Sequence, residues 1–153
     1  MNTRAESVSY NSSLVDAAAA SRITLKSTAE LFGRVLIVAL FLLSGVGKIT
    51  AYAATAGYMA SVGVPGAILP LVIATEVLGS LAIILGWKTR IVAFLMAGFT
   101  LLTAILFHNH LADQMQMVMF MKNVSIAGAF LLLTVHGAGP ISLDSKSRSG
   151  ELS

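Results

Sequence analysis

The chain has no cysteine among its 153 residues. Disulfide exchange, thiolate catalysis, cysteine-ligated zinc and iron–sulfur clusters are therefore excluded within it. Charge is also scarce. Asp, Glu, Lys and Arg make up 11% of the residues, against about a quarter in a soluble domain, so most of the surface is not built for water. The sequence carries no flavin, haem, RNA-binding or DNA-binding motif and no internal repeat. Its formal charge of +3 is spread along the chain rather than gathered in a patch, which argues against nucleic acid as a partner. The length suits one domain at most.

What is present is mostly apolar: 56% of residues are hydrophobic and the mean hydropathy is +0.85. Four apolar runs stand out, at about 31–49, 66–86, 91–107 and 116–136, each approaching the roughly 20 residues needed to cross a hydrocarbon core. The expected fold is all-α, a four-helix transmembrane bundle occupying residues 27–140. Residues 1–26 are polar, and their run Ala17–Ala20 is too short for a signal-peptide core of about 7–15 apolar residues. They read as a cytoplasmic tail, as do residues 141–153. Ala51-Tyr52-Ala53 could pass for a leader cleavage site, but the run before it is long and ends in Lys48.

Boundary signals are local. Ser27 and Glu30 fit a capping box at the first helix start. Arg34 and Lys48 lie about a turn from the ends of the first run, where long side chains snorkel to headgroups. Residues 50–64 read as a loop or short helix in the interface. Pro65 and Pro70 suit the first turn of the second span. Gly86 to Arg90 form a tight turn with an interfacial tryptophan, Trp87. Asp113 with Gln116 opens the fourth span, which Gly137 and Pro140 close.

If both termini are cytoplasmic, that side holds Arg4, Arg22, Lys26, Arg34, Lys88, Arg90, Lys146 and Arg148, and only Lys48 and Lys122 lie outside. This bias predicts an N-in/C-in topology.

Glu76 is the residue that most invites a functional reading. It follows Gly66 by ten positions, about 15 Å along a helix and near the midplane. A charge there costs roughly 2.5–3.5 kcal/mol on insertion scales, so the group must be neutral, paired or facing water. By the same arithmetic Lys122 is the best-placed partner and Lys48 the second, with His108 near the mouth and Arg34 at the wrong depth. One reading is a proton-handling or ligand-binding site made by Glu76, Lys122, Asn123, Lys48 and His108. The other is a buried ion pair that fixes helix register and does no chemistry.

His108, His110 and Asp113 invite a metal reading, but histidines at i, i+2 do not share a helical face. Interfacial histidines that cap helices or line an entrance are the favoured account, and no metal is expected. A haem held by His108 and His136 would need ligands from opposite membrane faces. Met115, Met117, Met119 and Met121 read as soft packing filler rather than a copper patch. Gly45, Gly47, Gly79, Gly98 and Gly128 suit close helix packing.

Several stretches together resemble the DoxX family of bacterial inner-membrane proteins over about residues 30–144. They are Phe41–Thr50 (FLLSGVGKIT), Gly63–Gly66 (GVPG), Pro70 through Glu76 to Gly79, Gly98–Thr103 (GFTLLT), Phe107-His108, Phe120–Asn123 (FMKN) and Gly137–Asp144. The likeness is closest to the short members of enterobacterial type. It implies a multi-pass inner-membrane protein with four helices and a link to respiratory redox chemistry. Family members include the membrane subunit of thiosulfate:quinone oxidoreductase and a partner of soluble redox enzymes. The family's recurring polar positions match Lys48, Glu76, His108, Lys122 and Asn123.

Three functions stay open. The first is a non-autonomous membrane subunit of an oxidoreductase system, binding a quinone headgroup near Glu76, Lys122 and His108 and receiving electrons from a soluble partner. The second is a scaffold that docks soluble enzymes through its tails. The third is a small proton-coupled transporter, which would have to be a homo-oligomer because four helices enclose little space. No residue is assigned a catalytic role.

Overall fold

The computed structural model describes the backbone of residues 3–150 and the side chains of residues 20–147, and among these it contains no strand. Helix α1 spans Thr3–Thr50 and α2 spans Tyr52–Ser61. A 3-10 turn at Gly66–Ile68 leads into α3, Leu69–Leu85. Then come α4, Thr89–Phe107, α5, Gln114–His136, and α6, Leu143–Gly150. Four segments are long and apolar enough to cross a membrane: Ala20–Thr50, Gly66–Leu85, Thr89–Phe107 and Gln114–His136.

The expected break at Ser27 is absent. Residues 3–26 continue α1 instead of forming a separate tail, because no glycine or proline occurs before Gly33. Ser27 is not a cap: its hydroxyl donates to the carbonyl of Ile23 one turn back, as Thr24 and Thr28 do to Ala20 and Thr24. This back-bonding lets hydroxyl residues sit inside a helix. Glu30 pairs with Lys26 at 3.8 Å instead of reaching back to Ser27.

Helices α1 and α3 pack as one pair and α4 and α5 as another, joined mainly through α3 against α4. Their shared core holds Val38 and Phe41 of α1, Ile83 of α3, Met96 and Ala97 of α4, and Ala127 and Phe130 of α5. The rings of Phe41 and Phe130 meet at 5.5 Å, tilted by 55°. Small residues on α4 and α5 face this core, so the two helices approach closely. No more than 28% of any span's most apolar window is buried within the protein. Leu43, Leu71, Phe94, Leu132 and Val135 point outward, an apolar exterior that only hydrocarbon can cover.

One end of the bundle, here termed the basic end, is closed by the chain itself. α3 stops at Gly86, which takes the left-handed conformation (φ 69°). A side chain there would collide with Ser142 and with Arg34. After α5 ends at Gly137, residues 137–144 fold back across this end as a strap. Asp144 accepts from the backbone N–H of Lys88 at 2.7 Å and of Thr89 at 2.9 Å, capping α4, while its own N–H donates to Gly86 at 2.9 Å. The strap and α6 thus occupy residues read from sequence as a tail; residues 151–153 lie outside the described set.

Arg34 does not snorkel. It is 1% exposed and donates to the carbonyls of Ile83 at 3.1 Å, Ile84 at 3.0 Å, and Ile141 of the strap. The last carbonyls of a helix lack partners and carry its negative dipole end. A forked, permanently charged guanidinium fits that need.

Candidate functional site

At the other end of the bundle, α1 and α3 bring a second set of polar groups together. Ser44 and Lys48 are one turn apart on α1 and so share a face. Glu76 meets them from α3. Gly45 makes this approach possible: a Cβ there would lie 2.8 Å from Val77 Cγ2 and 3.1 Å from Glu76 Cβ. Lys48 Nζ donates to both carboxylate oxygens of Glu76, at 2.9 and 2.8 Å, and to Ser44 Oγ. Ser44 Oγ in turn lies 3.5 Å from Glu76 Oε1. The Glu76 side chain is 7% exposed and that of Lys48 24%.

The partner of Glu76 is therefore Lys48, and the expected ranking of Lys122 first is corrected. Both lysines border the same cavity as Glu76, but position along a helix does not say which way a side chain faces. α1 packs directly on α3, whereas α5 packs on α4. The Lys122 side chain stays exposed on α5, its ammonium 3.4 Å from Met119 Sδ.

Lys122 is nevertheless part of the same place. A cavity of about 270 Å³ is lined by Ser44, Lys48, Glu76, His108, Lys122 and Asn123 together with apolar walls from Phe41, Val72, Phe99 and Phe107. All five residues singled out from sequence border it. Its roof is α2, anchored by Met59 against Val64 and Leu69, and by Tyr58, whose ring stacks on Phe107 at 5.9 Å.

Asn123 is 8% exposed, and among the described residues its side-chain amide has no hydrogen-bond partner. His108 Nδ1 lies 2.9 Å from Gln116 Oε1. An amide oxygen only accepts, so Nδ1 carries a proton in this contact, and Nε2 has no partner among the described residues. Gln116 is itself held by the cap of α5, where its N–H donates to Asp113 Oδ1 at 2.9 Å. That contact occupies Asp113, and His110 is exposed. Among the described residues no three His, Asp or Glu side chains converge as a metal site would require.

Ser44, Tyr58 and Phe107 were not singled out from sequence as site residues. For Ser44 the signal was available in its four-residue spacing from Lys48. For Tyr58 it was not, since only the folding of α2 over the bundle brings it to the cavity. The methionines at 115, 117 and 121 face outward rather than filling the core.

The cavity thus offers a carboxylate and ammonium already paired, a second ammonium at the rim, and an unpaired amide and imidazole nitrogen, all against aromatic walls. At about 270 Å³ it lies just below the range of roughly 300–1,000 Å³ typical of small-molecule sites. It suits a single ring or headgroup.

Known proteins place this arrangement in a family. The DoxX family matches residues 29–109, a stretch that includes Lys48, Glu76 and His108. The inner membrane protein YqjF of Escherichia coli K12 is 51% identical over 120 residues, covering 78% of this chain and 92% of the relative. The inner membrane protein YphA of the same organism is 42% identical over 121 residues, covering 74% and 86%. No solved structure matches the chain. With its four membrane-crossing helices and these relatives, the chain belongs to the DoxX family and is a multi-pass protein of the inner membrane.

Proposed function

We propose that this protein is a non-autonomous membrane subunit of a quinone-linked oxidoreductase system, and that its cavity holds the quinone headgroup. The observation that carries the reading is the convergence of Lys48, Glu76, His108, Lys122 and Asn123 on one headgroup-sized space with aromatic walls. The residues present fit such a ring. Its carbonyls accept hydrogen bonds, and the Asn123 amide and the Lys122 protons not directed at Met119 Sδ offer donors there. When bound, a quinone supplies a lipid-soluble carrier of electrons and protons. The chain's own part is to orient the ring between Phe99 and Phe107, and to hold a proton within the Lys48–Glu76 pair. Electrons come from a soluble partner, because the sequence has no flavin or haem motif.

In this reading the basic end faces the cytoplasm and the cavity opens in the outer half of the membrane, as the arginine and lysine bias favours. The absence of native cysteine makes this measurable. A single cysteine at Gly57 on α2 should react with an impermeant maleimide in intact cells, and one at Lys146 only after lysis. The reverse pattern would invert the topology.

The test of the function is the quinone content of the full chain purified into lipid nanodiscs. Quinone should co-purify with the wild type and be lost in Asn123→Ala and Glu76→Gln. Equal content in all three, with the variants folded, would remove the quinone from the cavity. A scaffolding role has separate support in the extension of α1 back to Thr3. It predicts that deleting residues 1–19 abolishes association with a soluble enzyme while both cavity variants leave association intact.

A further inference from the structure

The charged and titratable side chains that line the cavity are Lys48, Tyr58, Glu76, His108 and Lys122. Lys48 and Glu76 are in bidentate contact at 2.9 and 2.8 Å, so the pair is neutral as a unit wherever the shared proton resides. His108 Nδ1 is engaged by Gln116 Oε1 at 2.9 Å. Lys122 remains. Among the described residues no carboxylate lies within 4.0 Å of its ammonium; the ion pairs there are Lys26–Glu30 and Lys48–Glu76. Of the two lysines on the cavity, Lys122 is therefore the one without a paired carboxylate.

Asn123, next to Lys122 on α5, adds an independent observation. The residue is 8% exposed and borders the cavity with both amide ends unspent. Its amide is not one of the sealed unpaired groups, so it opens onto the cavity and is free to pair with an occupant. An ammonium and an amide N–H bordering one cavity are a donor set for an anionic oxygen. The aromatic walls call for an apolar body behind that oxygen.

We infer that the cavity selects a monoanionic ligand with an aromatic body, its charged oxygen held by Lys122 and Asn123. This rests on the proposed quinone-binding role of the same cavity and narrows it: the favoured occupant is an acidic, ring-bearing compound in its ionised form. The attraction is strengthened by the low dielectric of the apolar walls.

Three probes of one ring size separate the possibilities in equilibrium binding to the full chain in nanodiscs, with empty nanodiscs subtracted. They are 1,4-naphthoquinone, which is neutral; 2-hydroxy-1,4-naphthoquinone, whose acidic hydroxyl is ionised at pH 7.5; and 2-naphthoate, an anion that is not a quinone. The hydroxyquinone should bind on the order of tenfold more tightly than the neutral quinone. That preference should vanish in Lys122→Gln and persist in Lys122→Arg. Equal binding of the two quinones would overturn the charge selection while leaving the quinone reading intact. Binding of 2-naphthoate without either quinone would uphold charge selection and remove the quinone. Failure of all three would remove both. A preference that survives in Lys122→Gln would overturn the assignment to Lys122.

Discussion

The two ends of the bundle use buried polar groups in opposite ways. At the basic end, Arg34 is the largest of the fully buried side chains among the described residues, yet its bonded donors go to the backbone: Ile83, Ile84 and Ile141. Asp144 does the same with the N–H groups of Lys88 and Thr89. These charges hold helix ends that would otherwise be unpaired in hydrocarbon. At the cavity end, only Lys48 and Glu76 are spent on each other, while Lys122, Asn123 and one nitrogen of His108 face open space. Burial alone therefore does not mark a functional group in a membrane protein. What distinguishes the cavity end is that its unpaired groups border open space, whereas Arg34 Nε, Thr89 Oγ1 and Glu30 Oε2 at the basic end are unpaired but sealed inside the fold.

The largest effect should come from the basic end, where one guanidinium holds three carbonyls. Arg34→Met removes the donors to three carbonyls and frees the strap. Breaking a buried charged contact by deleting one partner costs about 3–5 kcal/mol, and the variant should show the steepest fall in unfolding midpoint in detergent micelles. A loss below about 1 kcal/mol, within the range of an exposed ion pair, would mean that Arg34 is not what closes this end.

Arg34 is also the clearest case of what the sequence conceals. Its position a turn inside the first apolar run looks like a snorkelling cation, and no local feature announces that residues 137–144 return to cover it. Glu76, by contrast, was legible because depth follows from counting residues along a helix. Lys48, His108, Lys122 and Asn123 fell into the same half of the membrane by that count. Counting gives height and not direction, which is why Lys122 was ranked ahead of Lys48. Gly45 held the missing direction, since a glycine one residue past Ser44 marks where α3 comes closest. The span ends at Gly86, Asp113 and Gly137 were readable from cap chemistry. The extension of α1 back to Thr3 was obscured by a capping-box pattern at Ser27 and Glu30 that tertiary structure does not use. The lack of any glycine or proline before Gly33 was the better signal.

The next effect sharpens the comparison by treating the Lys48–Glu76 pair as Arg34 was treated. Glu76→Gln leaves an ammonium near hydrocarbon and should cost roughly 2–4 kcal/mol. The double variant Lys48→Met, Glu76→Leu removes both charges with similar bulk and should regain most of that stability. Ligand binding should be absent from both. A double variant as unstable as the single one would show that the pair, like Arg34, is architectural.

Asp144→Ala should have a smaller effect, about 1–2 kcal/mol, as expected for the loss of a helix N-cap. It tests whether the strap is held by its carboxylate or by Arg34 alone. Because α4 also contributes Phe99 and Phe107 to the far cavity, ligand affinity is a second readout. An unchanged affinity with a lowered unfolding midpoint would show that the two ends are independent; a parallel loss would show that α4 couples them.

The smallest effect on stability and the largest on function should coincide at Asn123. If its amide is held in reserve for a ligand, Asn123→Leu exchanges an unpaired buried polar group for an apolar one of similar size. Such an exchange is close to neutral or mildly stabilising, so the unfolding midpoint should stay within about 1 kcal/mol of wild type or rise. Affinity for the cavity ligand should fall by roughly the worth of one hydrogen bond to a charged group, about 1.5–3 kcal/mol. Arg34 at the basic end cannot show this dissociation, since its guanidinium already holds three carbonyls of the fold. A marked destabilisation in Asn123→Leu would mean that its amide has a structural partner after all, and the contrast between the two ends would then be one of degree.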